Sequence, residues 1–219
     1  MTISSESSNR PNLHLAILIL AAGEGSRLGG YPKALLNKDG DSLLKHFVQS
    51  IQTLEPQETL VVTGFYSEQI EAEINLIKRD LESPIHWEKN LRPELGQASS
   101  VRLGLESLQS DYDVLLIALC DQPQIGAQEI ESLLEQFKHR DSHQEIILPM
   151  VNGQRGNPVL FSKRVIEKIL AIPGMVCRPY MDQYPELVKI FVTDNQAFVR
   201  DVDTQDDIEK LGLDKIQPH

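Results

Sequence analysis

The segment Leu15-Ala16-Ile17-Leu18-Ile19-Leu20 is an unbroken apolar run that stops in Ala21-Ala22-Gly23-Glu24-Gly25. A strand with one wet face alternates apolar and polar residues, so an unbroken run of this length reads as a strand covered on both faces. Such strands belong to parallel sheets layered by helices. The run is also far too short to cross a membrane. An α/β fold is therefore the first expectation, with a glycine-rich turn at the strand's carboxyl end.

The rest of the chain fits that frame. Leu43, Leu44, Phe47, Val48, Ile51 and Leu54 recur at helical spacing, and Thr59–Thr63 is a short β-favouring run. Ile70, Ile74, Ile77 and Leu81 mark a second amphipathic helix. Pro84–Lys89 reads as a strand, Ala98–Leu108 as a helix, and Val114–Leu119 as a second fully apolar strand ending at Cys120-Asp121-Gln122-Pro123. Ile130, Leu133, Leu134 and Phe137 place another helix. This alternation predicts a three-layer, Rossmann-like α/β fold with a mostly parallel sheet. Beyond residue 140 the pattern loosens: strands at Ile146–Val151 and Val188–Val192, a helix near Lys163–Leu170, and a closing helix over Thr204–Leu213. Thr204 and Asp207 have capping-box spacing at its start.

With 219 residues and no repeat or linker, one domain over 13–219 is expected, preceded by a flexible polar tail over 1–12. Lys+Arg 21 against Asp+Glu 32 gives a net charge of -11, which argues against a nucleic-acid binder held by phosphate attraction. Cys120 and Cys177 are too few for a disulfide framework, and no signal-peptide pattern precedes the first strand. A cytoplasmic protein with no membrane association is the expectation.

The first chemical signal is Leu20-Ala21-Ala22-Gly23-Glu24-Gly25-Ser26-Arg27-Leu28-Gly29-Gly30-Tyr31-Pro32-Lys33. Glycines after a strand let backbone N–H groups approach phosphate oxygens. A dinucleotide fingerprint starting at Gly23 needs a small residue where Leu28 stands, and a Walker loop starting at Gly25 needs lysine where Tyr31 stands. This loop instead carries its own cations, Arg27 and Lys33, a planar fork and a compact charge. Asp121, directly after an apolar strand, should face the same crevice, because ligands in open α/β sheets sit beyond the carboxyl ends of the strands. A carboxylate there suits either Mg²⁺ or the N-cap of the next helix. Asp201 and Asp203 precede the last helix, and capping would explain them equally well.

The Leu-Ala-Ala-Gly-x-Gly-x-Arg-x-Gly…Pro-Lys pattern over Leu20–Lys33 resembles the molybdopterin nucleotidyltransferases, and within them the molybdenum cofactor cytidylyltransferase subgroup. The resemblance runs from about Leu13 to Leu213. It implies a nucleotidyltransferase fold and transfer of CMP from CTP to the phosphate of molybdenum-bearing molybdopterin, with release of pyrophosphate. Ala21-Ala22-Gly23 is the form that goes with cytidine. Leu20, Ala21, Ala22, Gly23, Gly25, Arg27 and Lys33 are then the nucleotide-binding residues, and Arg27, Lys33 and Asp121 the catalytic ones. Asp121 and Asp203 would hold Mg²⁺, Asp203 by its match to the family's Asp-Thr turn. Ser99, Ser100 and Asn157 are the acceptor-binding candidates, from Gly96-Gln97-Ala98-Ser99-Ser100 and Arg155-Gly156-Asn157-Pro158. A molybdenum hydroxylase or its chaperone would receive the product.

The chain departs from the family in three places: Ala98 replaces a serine, Cys120 a small residue, and Gly174-Met175-Val176-Cys177-Arg178 lacks the family's acid and second glycine. The alternatives are a related transferase for a sugar or polyol phosphate, or a non-catalytic nucleotide- or cofactor-binding protein of the same fold. His139 and His143, with Asp141, read as a solvated helix end, and Trp87 as packing.

Overall fold

The computed structural model describes residues 13–81 and 84–215, so the expected tail over 1–12 lies outside the described residues. In chain order the elements are β1 (Leu15–Ala21), β2 (Asn37–Lys38), β3 (Asp41–Ser42), α1 (Leu43–Ser50), β4 (Glu58–Thr63), α2 (Ser67–Asp80) and β5 (Ile85–Lys89). They continue with α3 (Gln97–Ser107), β6 (Val114–Leu119), α4 (Ala127–Lys138), β7 (Ile146–Val151), β8 (Gln154–Arg155) and β9 (Val159–Ser162). The chain closes with α5 (Lys163–Ala171), α6 (Cys177–Gln183), β10 (Val188–Val192) and α7 (Gln205–Lys210).

The main sheet has the order β10-β7-β9-β6-β1-β4-β5, with β8 hung on β7. β1 pairs in parallel with β4 and β6, β4 with β5, and β7 with β10, whereas β9 runs antiparallel to both β6 and β7. The mostly parallel, helix-covered sheet is the expected architecture. β1 is buried along its whole length, as its unbroken apolar run requires. Its residues divide by strand alternation. Ile17 and Ile19 pack with Leu44 and Val48 of α1, Ile70 and Ile74 of α2 and Leu133 of α4. Leu18 and Leu20 face the other way, onto Val101 and Leu105 of α3, Val165 and Ile169 of α5, and Tyr180 and Met181 of α6. This period of two on a strand buried on both sides produces the three layers.

The structure adds three features that the patterning does not show and shortens one that it does. Strand β9 and helix α6 both lie in the stretch beyond residue 140 read as loose. A short hairpin, β2–β3, turns at Asp39 and Gly40, both at positive φ. The last helix ends at Lys210 rather than Leu213, because the chain turns at Gly212 with φ 62. Its capping box forms as the spacing predicts, with the Asp207 N–H donating to Thr204 Oγ1 at 3.2 Å and the Thr204 N–H to Asp207 Oδ2 at 2.8 Å. Among the described residues no helix is long and apolar enough to cross a membrane.

The topology gathers functional candidates on one edge. β1, β4, β5 and β6 are parallel, so the segments after them emerge together. β9 is antiparallel with Val159 level with Ile117, which puts the residues just before it, including Asn157, on that same edge. The return from β10 joins them, since the Val202 N–H donates to the Asp121 carbonyl at 2.9 Å.

Candidate active site

The glycine-rich loop is shaped by its own sterics. Gly25 has φ 62, and a Cβ there would lie 2.1 Å from the Tyr31 carbonyl oxygen, so no side chain fits. The N–H groups of Leu28 and Gly30 both donate to the Gly25 carbonyl, at 2.9 and 3.1 Å, folding the loop into a short 3-10 turn over Ser26–Leu28. Leu28 then plugs a small apolar cluster with Leu36, Leu43, Val202, Ile208 and Leu213. Around Gly23, by contrast, a Cβ would meet nothing within 4 Å. That glycine is not demanded by packing and leaves the backbone open to the cleft.

A second 3-10 turn, Lys33–Leu35, follows Pro32 and carries Lys33 back under the loop. Lys33 Nζ donates to Asp121 Oδ2 at 2.8 Å and to Asp203 Oδ1 at 2.6 Å, while Arg27 Nη1 donates to Asp203 Oδ2 at 2.8 Å. Residues separated by up to 176 positions in sequence thus meet in one ionic cluster. Burial pulls the Lys33 ammonium down, but the charge and hydrogen bond of Asp121, then those of Asp203, outweigh it and hold Lys33 above its usual value. The Lys33 hydrogen bond is the main reason that Asp203 lies below the usual carboxylate range. Asp201 goes the opposite way: burial first, and the Asp121 charge next, push it up. Asp201 turns from the cluster to accept a hydrogen bond from Gln122 Nε2 at 2.9 Å.

These side chains line a cleft of about 770 Å³ at the carboxyl edge. All the nucleotide-binding candidates, Leu20, Ala21, Ala22, Gly23, Gly25, Arg27 and Lys33, border it, together with Asp121, Asp203 and Ser100. Its charged lining sets Arg27 and Lys33 against Glu24, Glu94, Asp121 and Asp203, an excess of negative charge. A polyphosphate entering alone would be repelled unless a cation came with it. Asp121 Oδ1 is buried without a hydrogen-bond partner, and the other oxygen of that carboxylate converges with Asp203 Oδ1 on one ammonium. That donor set fits a hard divalent cation. No cluster of three or more His, Cys, Asp or Glu side chains suited to a metal forms among the described residues, so such an ion would rest on these two carboxylates and on substrate oxygens.

The acceptor candidates divide. Ser100 is 3% exposed and borders the cleft, whereas Ser99 is not in its lining and donates to the Gly96 carbonyl at 2.8 Å. One side chain ties both: Asn90 Nδ2 donates to Ser99 Oγ at 2.8 Å and to Ser100 Oγ at 3.0 Å. Asn157 is outside the cleft lining; its N–H donates to the Phe198 carbonyl at 2.8 Å, beside Gly156, where a Cβ would stand 2.7 Å from the same oxygen. Sequence patterning gives no sign of Asn90, nor of Phe65 and Pro93, which border the cleft from the loops after β4 and β5. Only the parallel topology brings those loops to it. His139 Nδ1 lies 3.0 Å from Glu135 Oε1 on the preceding helical turn. Cys120 is pushed upward by burial and so is held as a thiol.

Comparison with known proteins bears on the family and the fold. A family model, the MobA-like NTP transferase domain, matches residues 17–184. The bifunctional protein GlmU of Mycobacterium ulcerans is 29% identical over 143 residues, which are 64% of this chain and 29% of that protein. The chain thus spans less than a third of that relative's length. Among solved structures, Rv0371c from Mycobacterium tuberculosis H37Rv superposes with a TM-score of 0.69 at 19% identity, covering 91% of this chain and 98% of that one. Its complex with manganese gives a TM-score of 0.63 at 18% identity, over 90% and 97% of the two chains. The 4-diphosphocytidyl-2C-methyl-D-erythritol synthase of Anaerococcus prevotii gives 0.69 at 16% identity, over 91% and 94%. At these identities the likeness to the solved structures is one of fold.

Proposed function

The chain belongs to the family of MobA-like NTP transferase domains, and from that premise we propose that it transfers CMP from CTP to the phosphate of molybdenum-bearing molybdopterin and releases pyrophosphate. The observation that carries this reading is the convergence of Gly23, Gly25, Arg27, Lys33, Asp121 and Asp203 on one cleft at the carboxyl edge of a parallel sheet. Support for CTP comes from Ala21-Ala22-Gly23 and its resemblance to the cytidine-using subgroup, and from the shared fold of a synthase named for a diphosphocytidyl product.

The chemistry required is positioning and charge neutralisation. An acceptor phosphate oxygen, already anionic at neutral pH, attacks the α-phosphorus; the bond to the β-phosphate oxygen breaks and pyrophosphate leaves. No strong general base is needed. Backbone N–H groups at Gly23 and Gly25 approach the phosphates, and Arg27 and Lys33 stabilise the charge that develops on them. Asp121 and Asp203 would hold Mg²⁺, which when bound supplies the positive charge that the lining lacks. Ser100 borders the cleft from the first turn of α3, and Ser99 beside it and Asn157, just before β9, serve the acceptor from outside the cleft lining.

A second acceptor class, a sugar or polyol phosphate, is favoured by one specific feature. The stretch Gly174–Arg178, which departs from the cytidylyltransferase pattern, is committed to the fold: Arg102 Nη1 donates to the Met175 carbonyl at 3.2 Å, and Cys177 and Met181 are buried. The deciding experiment is pyrophosphate release with CTP, GTP, ATP or UTP and Mg²⁺, with and without molybdenum-loaded molybdopterin. CTP turnover that depends on the molybdopterin is the expected result. CTP binding without turnover moves the acceptor to the sugar or polyol phosphates, and no binding of any triphosphate overturns the transferase reading. In the same assay Lys33→Ala and Asp121→Asn should each lower turnover by about 10²–10³-fold in a folded protein.

A further inference from the structure

The glycine-rich loop can serve a phosphate only if its amides face the cleft, and its internal hydrogen bonds do not secure this. Those bonds, Leu28 N–H and Gly30 N–H to the Gly25 carbonyl and Gly29 N–H to Ser26, tie the loop from Gly25 onward. Two side chains from elsewhere in the molecule hold its carbonyls instead. The Tyr66 hydroxyl donates to the Glu24 carbonyl at 2.9 Å, and Lys215 Nζ donates to the Leu28 carbonyl at 2.7 Å.

Tyr66 is carried by a stiff support. It stands at the start of α2, where the Ser67 N–H donates to the Gly64 carbonyl and the Ile70 N–H to the Tyr66 carbonyl. Gly64 is pressed against β1's end, since a Cβ there would lie 2.7 Å from the Ala22 carbonyl oxygen. Across the loop, Gly30, at φ +77, leaves room for the phenol: a Cβ there would lie 3.3 Å from its oxygen. The Glu24–Gly25 peptide is trans, so its N–H and C=O point in opposite directions. A hydroxyl that fixes the Glu24 carbonyl therefore also fixes the Gly25 N–H, turned away from Tyr66. Lys215 anchors the other end from a segment paired with Asn37 through Asp214 by hydrogen bonds of 2.8 and 2.9 Å, beyond the residues 17–184 matched to the family.

We propose that Tyr66 is a positioning residue that sets the plane of the Glu24–Gly25 peptide, so that the Gly25 amide is presented to the triphosphate, with Lys215 as the second anchor of the loop. The proposal rests on the triphosphate reading of the cleft. Tyr66→Phe removes one oxygen and keeps the ring, and Lys215→Met removes one charge; Lys215→Arg restores a donor. The measurements on the full chain are the backbone ¹⁵N order parameter at Gly25 and amide exchange at Gly29 without nucleotide, and CTP affinity with Mg²⁺ present.

In Tyr66→Phe, the order parameter at Gly25 should fall from the rigid range of about 0.85 to below about 0.6, and CTP should bind about fivefold more weakly, as for the loss of one hydrogen bond. KM for the nucleotide should rise while kcat at saturation is retained, with Tm unchanged. Lys215→Met should quicken exchange at Gly29, and Lys215→Arg should reverse it. An order parameter at Gly25 that matches wild type overturns the proposal, and so does a lowered one with unchanged CTP affinity. Should wild type bind no triphosphate, the transferase reading fails on that measurement alone, and the Gly25 order parameter in Tyr66→Phe still decides whether the hydroxyl holds the peptide plane.

Discussion

Asp121, Asp201 and Asp203 lie within a few residues or one hydrogen bond of each other, yet their surroundings divide their roles. Asp203 receives Lys33 and Arg27, so its ionised form is stabilised. The resulting contribution to stability is fully present above the ordinary carboxylate value of 3.8 and is lost as pH falls through the lower folded value. Lys33 has the opposite sign: its contribution is present below 10.5 and is lost as pH rises through its higher folded value. Both shifts move away from the neutral range, so the contributions of Lys33 and Asp203 hold across it. Asp201 differs from both. Burial and the nearby Asp121 charge raise it, so a penalty on folding sets in above 3.8 and is complete once pH has passed its folded value. Asn at this position keeps an oxygen for Gln122 Nε2 and carries no charge. Asp201→Asn should accordingly be more stable than wild type at pH 7, and the gain should vanish below pH 3.8. Thermal unfolding of both proteins across that range tests it, and a less stable variant at pH 7 would show that the carboxylate is needed where it stands.

At the level of elements, the parts of the fold with strong periodicity were legible. β1 and β6 could be read because both of their faces are buried, and α1, α2 and α4 because each shows one apolar stripe. β9 was not, because a four-residue strand has no measurable period and follows Asn157-Pro158, which by itself reads as a turn. The site divides the same way. Gly25, Arg27, Lys33 and Asp121 follow strand ends and announce themselves, whereas Asn90 and Tyr66 act through contacts that only the strand order creates. The closeness of the layers is also invisible in sequence. Gly104 in α3 faces β1 so tightly that a Cβ would lie 2.5 Å from Leu18 Cδ1 and 3.1 Å from Val62 Cγ2. Both neighbours are fully buried and have little room to yield. Gly104→Ala gains helix propensity but overpacks the core, and the second effect should win by about 1–3 kcal/mol. Chemical denaturation measures it directly; equal or greater stability would mean that α3 can lift from the sheet without loss.

Across the whole molecule the charge balance bears on how a triphosphate gets in. The chain carries a net charge of -11, and the cleft lining itself has more carboxylates than cations. Global and local fields therefore both repel an anionic ligand, and Arg27 and Lys33 are already engaged with Asp203 and Asp121. A nucleotide must compete with those ion pairs or bring compensating charge. Two consequences follow, with signs that a positively charged site would reverse. Without a divalent cation, CTP should bind weakly, and raising ionic strength from about 0.01 to 0.15 M should strengthen that binding, because screening acts on the longer-range repulsion first. With Mg²⁺ or Mn²⁺ at millimolar level, affinity should rise by at least about tenfold and the salt dependence should flatten, since the ion supplies the charge that Asp121 and Asp203 are placed to receive. Calorimetric titration of CTP at several salt concentrations, with and without the cation, reads both effects. Binding that weakens with salt in the cation-free series would mean that Arg27 and Lys33 dominate the field in the cleft, and that the two carboxylates are there to hold Lys33 rather than a metal.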